Sequence, residues 1–307
     1  METPGPIVVI RNPAAGQRSG SFVDKVMDEI KIRGVDITAI FTESAGHAEE
    51  LAANLVKAGN ASLVVASGGD GTVREVACGL YGSDMPLGLI PAGTANVLAR
   101  ELGYLKSGQP DVKRTTDILL EGRSATLFPF EVASSSNRRL GLCWLGAGFD
   151  AEILLCVSPT WKKRIGRAAF VPAIFKALGR EKRTGTFEWR IDAARNEGTQ
   201  GRCGWSVISN IQRYAGSFVL TRRTAIDTQG VACLLFANSG AVARLIEQVQ
   251  IAFRPLDQRG KTKLLHDGSI RLGNEKTPLQ LDGDFAGYGP VTVTPLKRAL
   301  HVKAAEG

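Results

Sequence analysis

The chain is 307 residues long, 44% hydrophobic and 22% charged, with a net charge of +8. At about 100–200 residues per domain this is one large or two ordinary domains of a soluble globular protein, which excludes disordered and fibrous classes. No run reaches the roughly 18 uncharged apolar residues of a membrane span, and Ile7–Ile10 is too short an apolar run for a signal-peptide core, so a cytoplasmic location is expected.

Ile7–Ile10 predicts a buried strand, followed by the small-residue turn Asn12-Pro13-Ala14-Ala15-Gly16. Phe22, Val23, Val26, Met27 and Ile30 have helical spacing, and Gly34 stands where a helix ends. Val35–Phe41 predicts a second strand, and Ala48–Ala58 a helix closed by Gly59. Leu63–Ala66 is a third apolar strand run. It enters the tight turn Gly68-Gly69-Asp70-Gly71-Thr72, and Val73, Val76, Ala77 and Leu80 then resume helical spacing. Leu87–Ile90 predicts a fourth strand, followed by Pro91-Ala92-Gly93-Thr94-Ala95-Asn96 and a helix through Leu102.

Strands and helices alternating at this pace imply a doubly wound parallel sheet, which binds ligands beyond the carboxyl ends of its strands. The turns at Asn12–Gly16, Gly68–Thr72 and Pro91–Asn96 share that edge. Glycines admit a ligand close to the backbone, and a helix N-terminus offers unpaired N–H groups and a favourable dipole, so the edge reads as a phosphate cradle. Asp70 would repel a phosphate unless a metal or a transferable proton lay between them, which points to Mg²⁺-nucleotide chemistry. As a plain helix N-cap, Asp70 would carry no such meaning.

The pattern changes after about Gly122. Ala125–Val132, Leu140–Leu145, Thr186–Ile191, Trp205–Asn210, Val231–Ala237, Ser269–Leu272, Leu279–Leu281 and Val291–Pro295 read as strands of an antiparallel sandwich. The expected domains are therefore an α/β unit over 1–123 and a β-sandwich over 124–290. Trp161–Arg183 interrupts the strands as a basic amphipathic helical stretch containing Lys162, Lys163, Arg164 and Arg167. Such a helix lies either on an anionic bilayer or on its own sheet with a solvated basic face. Met1–Ala125 holds 12 Lys+Arg against 15 Asp+Glu, net −3, and the remainder 26 against 15, net +11. The basic part suits an anionic surface. Five dispersed cysteines without a CxxC pair read as reduced thiols, and the three histidines have no metal-ligand spacing.

The three turns together, Asn12–Gly16, Gly68–Val76 and Gly88–Asn96, resemble the diacylglycerol kinase catalytic-domain family, which includes bacterial lipid kinases, sphingosine kinases and ceramide kinases. Gly146-Ala147-Gly148-Phe149-Asp150-Ala151, Asn210 with Tyr214-Ala215-Gly216, and Leu281-Asp282-Gly283-Asp284 extend the resemblance into the second part. It implies two domains, ATP and Mg²⁺, and γ-phosphoryl transfer to a lipid hydroxyl. It also implies that the last part of the chain, within 291–307, returns to the first domain. Gly68, Gly69, Gly71 and Thr72 would then cradle the phosphates, with Gly93, Thr94 and Asn96 adding contacts and Asn12 and Glu75 reaching the nucleotide. Asp282 is the candidate general base, in concert with Asp70. Asp150 is the candidate acid near the lipid headgroup, and Asp70 and Asp284 are the candidate metal ligands. Asp284 stands where the family has Glu, one methylene longer, and Asp227-Thr228-Gln229-Gly230 lacks the Asp-Gly pair that supports a structural Mg²⁺ in bacterial relatives.

The implied partners are a lipid substrate and, by peripheral association, an anionic membrane. Nucleic acid is not expected, because the basic part has no aromatic-plus-basic motif, and homodimerisation stays open. An NAD kinase shares the Gly-Gly-Asp-Gly turn but leaves Pro91–Asn96 and Asp282-Gly283 unexplained. A non-catalytic nucleotide- or lipid-binding regulator is the alternative from another class.

Overall fold

The computed structural model describes residues 5–15, 20–158, 170–179, 185–192, 198–214, 218–237, 240–253 and 262–306. Gly16, Lys162, Lys163, Arg164, Arg167, Ala215 and Gly216 lie outside them. The chain forms two compact units, 1–127 with 298–307, and 128–297.

In the first unit β1 (Ile7–Arg11), α1 (Gly20–Ile32), β2 (Ile37–Phe41), α2 (His47–Ala58), β3 (Leu63–Gly68), α3 (Asp70–Leu80), β4 (Leu87–Pro91) and α4 (Val97–Glu101) alternate. A small hairpin, β5 (Leu105–Lys106) and β6 (Gln109–Pro110), leads to α5 (Val112–Glu121) and β7 (Arg123–Leu127). The final strand of the chain, Leu300–Ala304, completes a six-stranded sheet between β4 and β7. Four strands and this fifth run parallel, and β7 closes the edge antiparallel. Val9, Ile10, Val64, Val65, Leu89 and Ile90 are buried, as both faces of a helix-covered parallel sheet require. β4 pairs with the last strand only at Leu87 and Val302. Tyr104 repairs the rest of that seam: its hydroxyl accepts from Leu89 N–H (3.3 Å) and donates to the Lys303 carbonyl (3.1 Å). Its full burial pushes the phenol's pKa upward.

The second unit opens with β8 (Phe130–Ala133), β9 (Arg138–Gly141), β10 (Trp144–Gly148), α6 (Phe149–Cys156) and α7 (Phe170–Leu178). There follow β11 (Phe187–Asp192), β12 (Thr199–Cys203), β13 (Trp205–Ser209), β14 (Arg213–Tyr214), β15 (Phe218–Val219), β16 (Val231–Phe236) and α8 (Ala241–Phe253). β17 (Thr262–Leu265), β18 (Ser269–Leu272), β19 (Pro278–Leu281), β20 (Asp284–Tyr288) and β21 (Val291–Pro295) complete it, and the chain ends in β22, the returning strand. Two six-stranded antiparallel sheets result, β17-β16-β13-β10-β19-β20 and β12-β11-β18-β21-β8-β9. Leu145, Ile208 and Leu279 from one, with Phe130, Ile270 and Val293 from the other, share a single core.

Three expectations change. Ala125–Val132 is two strands, β7 and β8, in different units; Pro129, which has no N–H to give a ladder, stands between them. The division therefore falls after Leu127, not at 123, and only 298–307 returns, since β21 pairs with β18 and β8. Leu140–Leu145 is also broken, into β9 and β10, because the amides of Leu142 and Cys143 turn to a side chain instead of a neighbouring strand. None of the five cysteines is in a disulfide, and burial raises the pKa of the Cys203 and Cys233 thiols to about 12.

Candidate active site

In the first unit the three turns lie on one sheet edge. Arg11, Phe41 and Ser67 are level across β1, β2 and β3, and Gly68 is level with Pro91 on β4. Asn12 Nδ2 donates to Thr72 Oγ1 (3.1 Å), and its Oδ1 accepts from Ala14 N–H (2.9 Å), so the first turn is tied to the start of α3. The Gly68–Thr72 and Pro91–Asn96 turns touch through bare backbone. A Cβ on Gly93 would lie 2.5 Å from the Gly69 Cα and 2.9 Å from Asn96 Oδ1. Only glycine permits that approach.

Asn96 caps α4 from a left-handed conformation, φ 48°. Its Oδ1 accepts from Gly93 N–H (2.9 Å) and its Nδ2 donates to the Gly93 carbonyl (2.8 Å), so the side chain braces its own turn. Asp70 Oδ1 accepts from Val97 N–H at 2.7 Å and locks the second turn to the third. Glu75 is half-buried on α3, and Thr94 is exposed at the tip of its turn. The nine nucleotide-site residues read from the sequence, and Asp70 with them, therefore lie at one sheet edge.

In the second unit Asp282-Gly283 is the two-residue loop of the β19–β20 hairpin. Both residues have positive φ, 52° and 90°, the conformation for which Asp-Gly is preferred. The Asp282 carboxylate accepts from three backbone amides: Leu142 (2.9 Å), Cys143 (2.7 Å) and Trp144 (3.1 Å). The sequence reading gave Asp282 a chemical role only; the structure adds that it clamps the β9–β10 connection. Asp284 is exposed, one residue beyond Gly283.

Asp150 is buried in the first turn of α6, where the helix dipole favours a negative charge. Its carboxylate accepts from the Tyr214 hydroxyl and, at 2.6 Å, from Gln280 Nε2. Gln280 Oε1 in turn accepts from Gly283 N–H (2.8 Å), so a buried chain runs from Tyr214 through Asp150 to the Asp282 turn. Desolvation is the largest effect on Asp150 and raises its pKa, against the lowering action of Tyr214 and Gln280; Tyr214 is raised well above its ordinary value, chiefly by burial. Gly146 makes room for this carboxylate, because a Cβ there would overlap Asp150 Oδ2. Gln280 was missed in the sequence, although a lone amide in the buried run Pro278–Leu281 is the signal that marks it.

Residues 6–131 match the diacylglycerol kinase catalytic domain. The chain is 26% identical over 308 residues to a diacylglycerol kinase of Mycobacterium tuberculosis (strain ATCC 25618 / H37Rv), covering 97% of this chain and 94% of the relative. A crystal structure of a diacylglycerol kinase from Bacillus anthracis str. Sterne superposes with TM-score 0.73 at 18% identity, covering 98% and 97% of the two chains. Yeast NADH kinase with NADH superposes at TM-score 0.55 and 11% identity, over 100% of this chain and 85% of that one, a likeness of fold. The catalytic-domain match over residues 6–131, together with relatives named diacylglycerol kinase along nearly the whole chain, supports a lipid kinase.

Proposed function

We propose that the chain transfers the γ-phosphoryl group of ATP to the hydroxyl of a diacylglycerol-like or sphingoid-like lipid. The contact of Gly69 with Gly93 carries the reading: two bare backbone turns meet at the N-terminus of the 11-residue α3, where unpaired N–H groups favour phosphate. In the reaction the lipid oxygen bonds to the γ-phosphorus, the bond to the bridging oxygen breaks, ADP leaves, and the hydroxyl proton passes to a carboxylate. Asp282 is the proposed acceptor of that proton, in concert with Asp70, and its three amide donors fix its orientation.

No cluster of three or more metal-binding side chains occurs among the described residues. Mg²⁺ takes one or two carboxylates and completes its shell with phosphate oxygens and water. Asp70 and Asp284 are its proposed protein ligands, and the ion would neutralise phosphate charge. Asp150, buried behind the Asp282 turn, is proposed to shape the acceptor site rather than to lie open to solvent. The lipid would be met at an anionic membrane by peripheral association; no helix among the described residues is long and apolar enough to cross a bilayer.

The test is γ-labelled ATP with Mg²⁺, a panel of lipids in mixed micelles, and NAD. Label in lipid is expected. Label only in NAD, or nucleotide binding with no transfer, would replace this reading by an NAD kinase or a regulator. Asp70→Asn should lose about 100-fold or more in turnover, yet keep its fold, because the amide oxygen can still accept from Val97 N–H.

A further inference from the structure

Helix α8 is built the wrong way round for a surface helix. Its charged residues Arg244 and Glu247 point inward and are 0% and 2% exposed, while Val242, Leu245 and Ile246 point outward, Val242 at 74%. A surface helix ordinarily buries its apolar stripe and exposes its charges. The inward charges are engaged by the second unit's own residues: Trp205 Nε1 donates to Glu247 Oε2 at 2.7 Å, and the Arg244 guanidinium stands 5.1 Å from the Phe149 ring centre. The helix is therefore firmly seated with its apolar stripe outward. Helix α7, which touches α8 and packs on α6, likewise exposes Val171 and Phe175, the latter at 61%.

On the elements that carry this apolar face, and on the loop after β15, the exposed charge has one sign. Lys176 on α7, and Arg222 and Arg223 just beyond β15, a strand that packs on α8, are exposed. Among the described residues no exposed acid lies in 170–178, 218–224 or 241–247. A second copy of the chain on this face would set cations against cations. An anionic bilayer complements both the apolar centre and the cationic surround.

We infer that the outer face of α7 and α8 is the surface by which the second unit seats in an anionic membrane interface, with Val171, Phe175, Val242, Leu245 and Ile246 entering the headgroup–acyl boundary. The lipid kinase reading supplies only the purpose of such a surface; the geometry stands without it.

The test compares the full chain with the triple variant Phe175→Ser, Val242→Ser, Ile246→Ser. Co-sedimentation is measured with phosphatidylcholine vesicles with and without about 30% phosphatidylglycerol, a content at which the surface potential is substantial. The wild type should bind the anionic vesicles more tightly, and less so in high salt. The triple variant should bind at least about tenfold more weakly, since each side chain removed is a sizeable apolar burial. Its phosphorylation of a short-chain, water-dispersed acceptor should be unchanged. Undiminished vesicle binding by the variant overturns the inference. So does a wild-type dimer, seen by sedimentation velocity, that the variant converts to monomer while vesicle binding stays. If the wild type binds vesicles through this face but labels no lipid, the kinase reading fails and the surface stands.

Discussion

Gln280→Met tests the buried chain from Asp150 to the Asp282 turn. Methionine nearly matches glutamine in length and volume but offers neither an amide donor nor an amide oxygen. The substitution removes the 2.6 Å bond to Asp150 Oδ2 and the 2.8 Å bond from Gly283 N–H. A buried acceptor left without this donor costs about 1–3 kcal/mol, and the half-buried Gly283 amide, within reach of water, about 0.5–1.5 kcal/mol. The expected destabilisation is roughly 2–4 kcal/mol, a large share of the ~5–15 kcal/mol that holds a typical domain. All four tryptophans lie in the second unit, and Trp144 meets Tyr214 edge-on at 5.6 Å, so tryptophan fluorescence during urea unfolding follows this unit alone. Turnover should fall along with stability, because Gly283 sits between Asp282 and Asp284. Gln280→Glu supplies the control. Its Oε1 still accepts from Gly283 N–H, but its second oxygen faces Asp150, and two carboxyls at that distance must share a proton. Its stability should approach wild type at pH 4–5 and fall toward pH 8. A cost below about 0.5 kcal/mol for Gln280→Met, or a pH-independent deficit for Gln280→Glu, refutes the reasoning.

Asp150 itself predicts a pH dependence. Its folded pKa is raised above the ordinary 3.8, chiefly by burial, so the stability tied to its proton is full below that value and is lost as pH rises through the folded pKa. Asp150→Asn cannot titrate, so its stability relative to wild type should improve as pH rises from about 4; parallel urea-midpoint curves would contradict this. Tyr104→Phe leaves Leu89 N–H and the Lys303 carbonyl without the bridging hydroxyl and should cost about 1–3 kcal/mol, read as reduced amide-exchange protection in β4 and β22. Gly93→Ala forces its turn off Gly69 and should weaken ATP binding in calorimetry by about tenfold or more, with little effect on the fluorescence-detected melting of the second unit.

The first unit was legible because its signals are local. Apolar runs such as Leu63–Ala66, a glycine turn and helical spacing from Val73 fall in one stretch of chain, and a parallel sheet brings the ends of such stretches to one edge by topology alone. The second unit was less legible because its partners are remote in sequence. Leu140–Leu145 is apolar enough for one strand, and nothing local reveals that the amides at 142 and 143 are claimed by a carboxylate about 140 residues later. Asp282-Gly283 carried two readings at once: the dipeptide that resembles a kinase motif is also the preferred loop of a tight hairpin.

The sequence by itself determined that three small-residue turns end parallel strands, the basis of the phosphate cradle proposed at Gly68–Thr72. It did so because strand period, glycine and helix capping act over a few residues. Only the tertiary structure decided that Gly93 must lack a side chain against Gly69, that Asp70 and Asn96 brace these turns, and that Arg244 and Glu247 face inward on α8. Those facts depend on which distant backbone and side-chain groups meet once the core has closed, and burial and close contact are properties of the packed chain rather than of any segment.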